Sequence, residues 1–134
     1  MKTLSDKYEQ YKKTVERLYE VIEVYEEKKE QIIVDAMIHR FKVCVELSWK
    51  LLKGYLKYEN IGEFSSPRTI IKESYVQKLI DEGELWLDML EDRNLTSHTY
   101  HDIIANFIRD NILNTYYKLL KKLQESMENK IYEK

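Results

Sequence analysis

The chain has 134 residues, 43% hydrophobic and 34% charged, with three glycines, one proline and one cysteine. That composition fits a single ordered domain over 1–134 and excludes both a disordered tail and a disulfide framework. So few turn formers cannot build an all-β fold, which needs a turn signal about every 8–12 residues, and 22 basic against 24 acidic residues, net charge -2, give no overall field to draw in nucleic acid or an acidic membrane.

A core of this size removes roughly two-thirds of the unfolded surface from water and needs no metal or cofactor to hold it. No run approaches about 18 apolar residues, and the start MKTLSDKYEQ lacks an apolar stretch. Neither a membrane span nor a signal peptide is therefore expected, and the expected compartment is the cytoplasm.

The first helix is predicted over about residues 4 to 29, where Leu4, Tyr8, Tyr11, Val15, Leu18, Ile22 and Tyr25 recur at spacings of three and four. A second, from about Gln31 to Tyr58, is apolar on two sides: Ile33, Met37, Phe41, Cys44, Leu51 and Tyr55 on one, Val45, Trp49 and Leu56 on the other. It is the expected centre of the core. NIGEFSSPR breaks the pattern, and Ser66 before Pro67 reads as a helix cap with proline in the first turn. A short helix to about Leu79 follows.

Another helix is expected from near Gly83, with Leu85, Trp86, Met89 and Leu90 on one face and carboxylates at Asp81, Glu82, Glu84, Asp88, Glu91 and Asp92 before the first base, Arg93. The last is expected to start near Tyr100, with Thr99 and Asp102 as a variant capping box, and to run unbroken along Ile104, Ile108, Ile112, Tyr116, Leu119, Leu120, Leu123 and Met127. Helices approaching 30 residues are roughly 40 Å long, beyond a compact domain with a radius of gyration of about 14 Å. The fold class expected is all-α, an elongated antiparallel bundle of four to five helices. Eleven tyrosines favour interfaces and suggest a homodimer, although tyrosines along the surface of a monomer would leave the same composition.

Among reactive side chains, Cys44 sits between two valines in the most apolar helix and reads as a small buried residue. His98 and His101 are three apart, but one falls before the expected helix start, so no metal site is expected. Glu46 within VCVELSW needs a partner, either Lys50 or an arginine from another helix. The segment Arg93-Asn94-Leu95-Thr96-Ser97-His98-Thr99-Tyr100 differs from the rest. On one continuous helix His98 would point about 140° away from Arg93. The poor helix formers in it predict a bend that brings Arg93, His98 and Tyr100 together near the start of the last helix, where an anion such as phosphate is favoured. Arginine can fork onto phosphate, histidine can exchange a proton, and a phenol can be modified, which together suit metal-independent RNA cleavage. A simple helix junction, with Arg93 bonded near Glu91 or Asp92, is the competing reading.

RNLTSHTY at 93–100 resembles the R-x4-H-x-Y signature of HepT-like members of the HEPN superfamily. RFKVCVELSWKLLKGYL at 40–56, SPRTIIKESY at 66–75 and LWLDMLEDRNLTSHTY at 85–100 are similar to proteins labelled nucleotidyltransferase substrate-binding, so the resemblance spans about residues 33 to 117. It implies a helical bundle that dimerises with the motifs of two chains meeting in a shared cleft. It also implies a partner, a minimal nucleotidyltransferase encoded nearby. In toxin–antitoxin pairs of this kind the HEPN member is the ribonuclease toxin, neutralised when the transferase attaches AMP to the motif tyrosine. The roles implied are a catalytic pair of Arg93 and His98, support from Asn94, and AMP acceptance at Tyr100. An alternative implied role is a non-catalytic substrate-binding subunit of a two-component nucleotidyltransferase. The acidic run before the motif would repel RNA unless it faces away or meets a basic partner.

Overall fold

Among the described residues, long amphipathic segments with few breakers become five helical rods joined by short links. The computed structural model describes residues 3–132. Its elements are α1 (Leu4–Glu27), α2 (Gln31–Tyr58), α3 (Pro67–Val76), α4 (Gly83–Asn94), a 3-10 turn (Leu95–His98), α5 (Asp102–Asn111), a π turn (Ile112–Tyr116) and α6 (Tyr117–Tyr132). α5, the π turn and α6 follow one another without a break and make the fifth rod. No strand occurs among the described residues, and none of their helices is long and apolar enough to cross a membrane.

α2 is the hub. It packs against α1, α3, α4, α5 and α6 and buries Val34, Met37, Ile38, Phe41, Cys44, Val45, Ser48, Leu51, Leu52, Tyr55 and Leu56. Ile33 and Trp49, expected inside on the two sides of α2, are only partly buried. α1 and α6 run antiparallel: Tyr8 reaches Glu128 and Gln124, Tyr11 donates to the Leu120 carbonyl at 2.6 Å, and Tyr19 lies against Tyr117. Rising numbers on one helix thus meet falling numbers on the other.

These straps account for much of the tyrosine content. Tyr8, Tyr11, Tyr25, Tyr55 and Tyr116 are buried, so their hydroxyls need partners. Tyr8 donates to Glu128 at 2.7 Å and accepts from Gln124 at 3.1 Å. That bond holds the Glu128 carboxyl below its usual range.

Several expected boundaries move. α3 stops at Val76 rather than Leu79 because Lys78 turns left-handed (φ 61°) and the Leu79 amide returns to the Ser74 carbonyl at 2.8 Å. Leu79 is buried as the apolar partner of that cap. Asn60 (φ 58°) closes α2 in the same manner, with the Ile61 amide on the Leu56 carbonyl. Non-glycine residues therefore end two helices, which is how so few glycines suffice. Ser66 caps α3 as expected, accepting from the Thr69 amide at 3.0 Å with Pro67 behind it. The Thr99–Asp102 box does not form. Thr99 donates to the Thr96 carbonyl instead, and α5 begins at Asp102 behind His101.

Burial pushes the Tyr8, Tyr11 and Tyr116 phenols above their ordinary value near 10. In the unfolded chain they ionise around pH 10. Above that pH the folded state holds protons that the unfolded state has lost, so the stability these tyrosines contribute is constant below about pH 10 and declines as pH rises beyond it. Urea unfolding at stepwise alkaline pH should show this decline. A flat profile through about pH 11 would contradict the buried, strapped tyrosines.

Candidate functional site

The α4–α5 junction is built from a buried carboxylate. Asp92, 8% exposed, accepts from Asn111 Nδ2 at 2.9 Å and from the Tyr116 hydroxyl at 2.5 Å. A buried carboxylate without donors is costly, and both donors come from the rod that contains α5. The π turn that carries Tyr116 returns the Tyr117 amide to the Ile112 carbonyl. It widens one turn of the rod, whose apolar stripe runs on through Ile112, Tyr116, Leu119 and Leu123 as expected. Tyr116 also stacks on Phe41 of α2, centroids 5.7 Å apart. The last turn of α4 is thereby tied to two other rods.

Arg93 comes directly after Asp92 and leaves α4 on its other side. Its Nε donates to Glu46 Oε1 at 2.6 Å, with both side chains mostly buried. Glu46 therefore finds an arginine from another helix, one of the two partners expected, while Lys50 instead lies 5.7 Å from the centroid of the Trp49 ring. The expected junction bond from Arg93 to Glu91 or Asp92 is absent among the described residues, because Asp92 is already taken by Asn111 and Tyr116. Arg93 and Asn94 line a pocket of about 220 Å³ with Glu46, Trp49, Ser66, Arg68 and Leu90.

The bend forms as expected. Residues 95–98 make a 3-10 turn, and Thr96 and Ser97 hydroxyls return to the carbonyls of Arg93 and Asn94, which is how such residues divert a helix. His98 and Tyr100 emerge exposed from it, with the Tyr100 hydroxyl 3.5 Å from His98 Nδ1. The Tyr100 ring also meets His101 at 4.3 Å. Tyr100 is 73% exposed.

The three-way convergence expected from sequence is thus divided. His98 and Tyr100 come together, whereas Arg93 turns to Glu46 and shares no hydrogen bond with either among the described residues. The physical reason is Glu46: a part-buried carboxylate competes successfully for the guanidinium. No group of three or more potential metal ligands comes together among the described residues. Cys44 is buried, its thiol pushed up to about 12 by burial, and thus unsuited to act as a nucleophile.

Trp49 and Arg68 line the pocket as well, though neither belongs to the polar segment at 93–100. Their only signals in the sequence are a tryptophan at the edge of the α2 stripe and an arginine just after the Ser66–Pro67 cap.

Residues 6–129 match the family model described as nucleotidyltransferase substrate binding protein like. A protein of Thermus thermophilus of known crystal structure is 30% identical, covering 84% of this chain and 94% of that one with a TM-score of 0.77. A second solved structure, of a tri-AMPylated Shewanella oneidensis HEPN toxin in complex with MNT antitoxin, has a TM-score of 0.74 at 16% identity, covering 93% of this chain and 96% of that one. At that identity the likeness establishes a shared fold. No curated protein matches the sequence significantly.

Tyr116→Phe removes one of two donors from the buried Asp92 carboxylate and should destabilise the fold by about 1–3 kcal/mol. Chemical denaturation measures it. A loss below about 0.5 kcal/mol would show that the junction does not depend on this bond.

Proposed function

Because this chain belongs to the family of nucleotidyltransferase substrate-binding-like proteins, we propose that it is the HepT-like partner of a minimal nucleotidyltransferase and acts as the ribonuclease toxin of the pair. The observation that carries the reading is the exposed His98–Tyr100 pair on the turn just past Arg93 and Asn94. A toxin of the same fold is AMPylated and bound by an MNT antitoxin, which supports a transferase as partner and Tyr100 as the AMP acceptor here.

In this reading His98 takes the proton of a ribose 2′-hydroxyl as that oxygen attacks the neighbouring phosphorus; the bond from phosphorus to the 5′-oxygen breaks, leaving a 2′,3′-cyclic phosphate, and the 5′-oxygen takes a proton from water. Arg93 stabilises the charge developing on the phosphoryl oxygens. Its bond to Glu46 uses Nε, so the terminal nitrogens are available for phosphate. Asn94, exposed beside it, supplies a further polar contact. AMP on the Tyr100 oxygen adds bulk and negative charge beside His98 and blocks the approach of RNA.

Within one chain Arg93 and His98 do not face a single pocket, and a second copy offers the remedy. Ile103, 85% exposed, and Phe107, 51% exposed, form an apolar strip on α5 immediately beyond the motif, a surface suited to burial against its own copy. Such a homodimer brings the two motifs toward one cleft. The separation of Arg93 from His98 is also the observation that favours the alternative, a non-catalytic subunit that presents a substrate to the transferase.

Expression of the chain alone should slow growth and degrade RNA, and His98→Ala should do neither. Co-expression with the transferase encoded nearby should add adenylate mass to the peptide holding Tyr100 and restore growth, with no gain on Tyr100→Phe. Equal RNA loss with His98→Ala would sink the ribonuclease reading, while harmless expression with a stable transferase complex would favour the alternative. In sedimentation, Phe107→Glu should shift the protein from dimer to monomer. A wild-type monomer at micromolar concentration would remove the shared cleft.

A further inference from the structure

The pocket beside Arg93 joins groups that nothing in the motif requires. Trp49 is partly buried on the rim of α2 and forms an aromatic wall. Arg68, exposed in the first turn of α3, lines the same pocket, and Lys50 is held near the Trp49 ring. Lys42 and Lys53 are exposed on the same side of α2 as Glu46 and Lys50, at helical spacing. None of Lys42, Lys50, Lys53 and Arg68 enters an ion pair among the described residues. Glu46, the innermost acid of the pocket, is neutralised by Arg93. Glu91, at the rim, is exposed. A chain of net charge -2 thus sets Arg68, without an ion pair, in the same pocket lining as the partly buried Trp49 ring and the candidate catalytic arginine, and holds Lys50 5.7 Å from the centroid of that ring.

We infer that this pocket is a nucleotide subsite for single-stranded RNA, in which a base next to the scissile phosphate stacks on Trp49 while Arg68 and Lys50 hold its phosphate. An aromatic face with flanking cations is how proteins grip unpaired strands without reading sequence. A volume of about 220 Å³ accommodates one base, and Glu91 accepts from base N–H groups rather than meeting phosphate. The inference rests on the ribonuclease reading for its substrate, but its residues lie outside the R-x4-H motif.

The test uses the full chain carrying His98→Ala, so that RNA is bound without being cut, and a short mixed-sequence single-stranded RNA. Trp86 is buried whereas Trp49 is only partly so and lines the pocket, so stacking should quench tryptophan fluorescence through Trp49. Adding Trp49→Leu should abolish the quench and weaken binding about tenfold. Adding Arg68→Ala, a change on an exposed side chain that leaves the core intact, should weaken binding and lower the slope of log Kd against log salt by about 0.7. Duplex RNA, whose bases are not free to stack, should not quench.

Unchanged binding and salt slope in the Arg68→Ala variant, with RNA still cleaved by the wild type, would overturn the subsite and leave the ribonuclease reading standing. Equal quenching by duplex RNA would also overturn it. Quenching and Arg68-dependent binding without cleavage by the wild type would support the subsite and remove the ribonuclease reading. Absence of RNA binding in both forms would remove both.

Discussion

The junction that carries the motif depends on one buried carboxylate. Asp92 sits between α4 and the α5–α6 rod, and its two donors, Asn111 and Tyr116, stand on either side of the start of the π turn. An uninterrupted α-helix would carry Tyr116 past in a different phase, since each inserted residue rotates the rest of the helix by about 100°. π turns of this kind occur where a side chain must be re-aimed. Here the side chain is a phenol, kept protonated by burial, that can donate to a carboxylate. The last turn of α4, and so the points from which Arg93 and Asn94 project, are held by that pairing.

A second constraint acts on the opposite side of the same turn. Glu46 lies in the most apolar helix of the chain, where a carboxylate needs a donor, and Arg93 supplies it at 2.6 Å. Adjacent residues of α4 thus point to different neighbours: Asp92 inward to the α5–α6 rod and Arg93 across to α2. This cross-bracing leaves the 3-10 turn beyond it to hang free of the core. Thr96, Ser97 and Thr99 satisfy backbone carbonyls there through their own hydroxyls, so no packing is needed to end the helix. His98 and Tyr100 remain at the surface. Rigidity under Arg93 and exposure at Tyr100 follow from the same few residues.

Much of the fold was legible because its signals are local. The three- and four-residue spacing of Tyr8, Tyr11, Val15 and Leu18 is realised on the buried side of α1, α2 begins and ends where its apolar run does, and Ser66 with Pro67 starts α3 as such a pair should. The expectations that moved concern competition between partners. Leu79 looked like one more helical position, yet it is the apolar side of a left-handed cap at Lys78. Thr99 looked like a cap for the last helix, yet the Thr96 carbonyl takes its hydroxyl. The tyrosines looked like interface residues, and much of their purpose is internal: Tyr8 and Tyr11 strap α1 to α6, and Tyr116 closes over Asp92.

The sequence by itself determined that this chain is a bundle of long helices with one polar, bend-forming segment, because helical periodicity and the scarcity of turn residues are properties of neighbours along the chain. It also placed Arg93, Asn94, His98 and Tyr100 within that segment. Only the tertiary structure decided where each of those side chains goes. Glu46, 47 residues away in sequence, draws Arg93 from the other two, and Trp49 and Arg68 meet beside it from different helices. Such choices depend on which distant group offers an unpaired charge or an open face at the point of contact, and spacing along the chain carries no record of that.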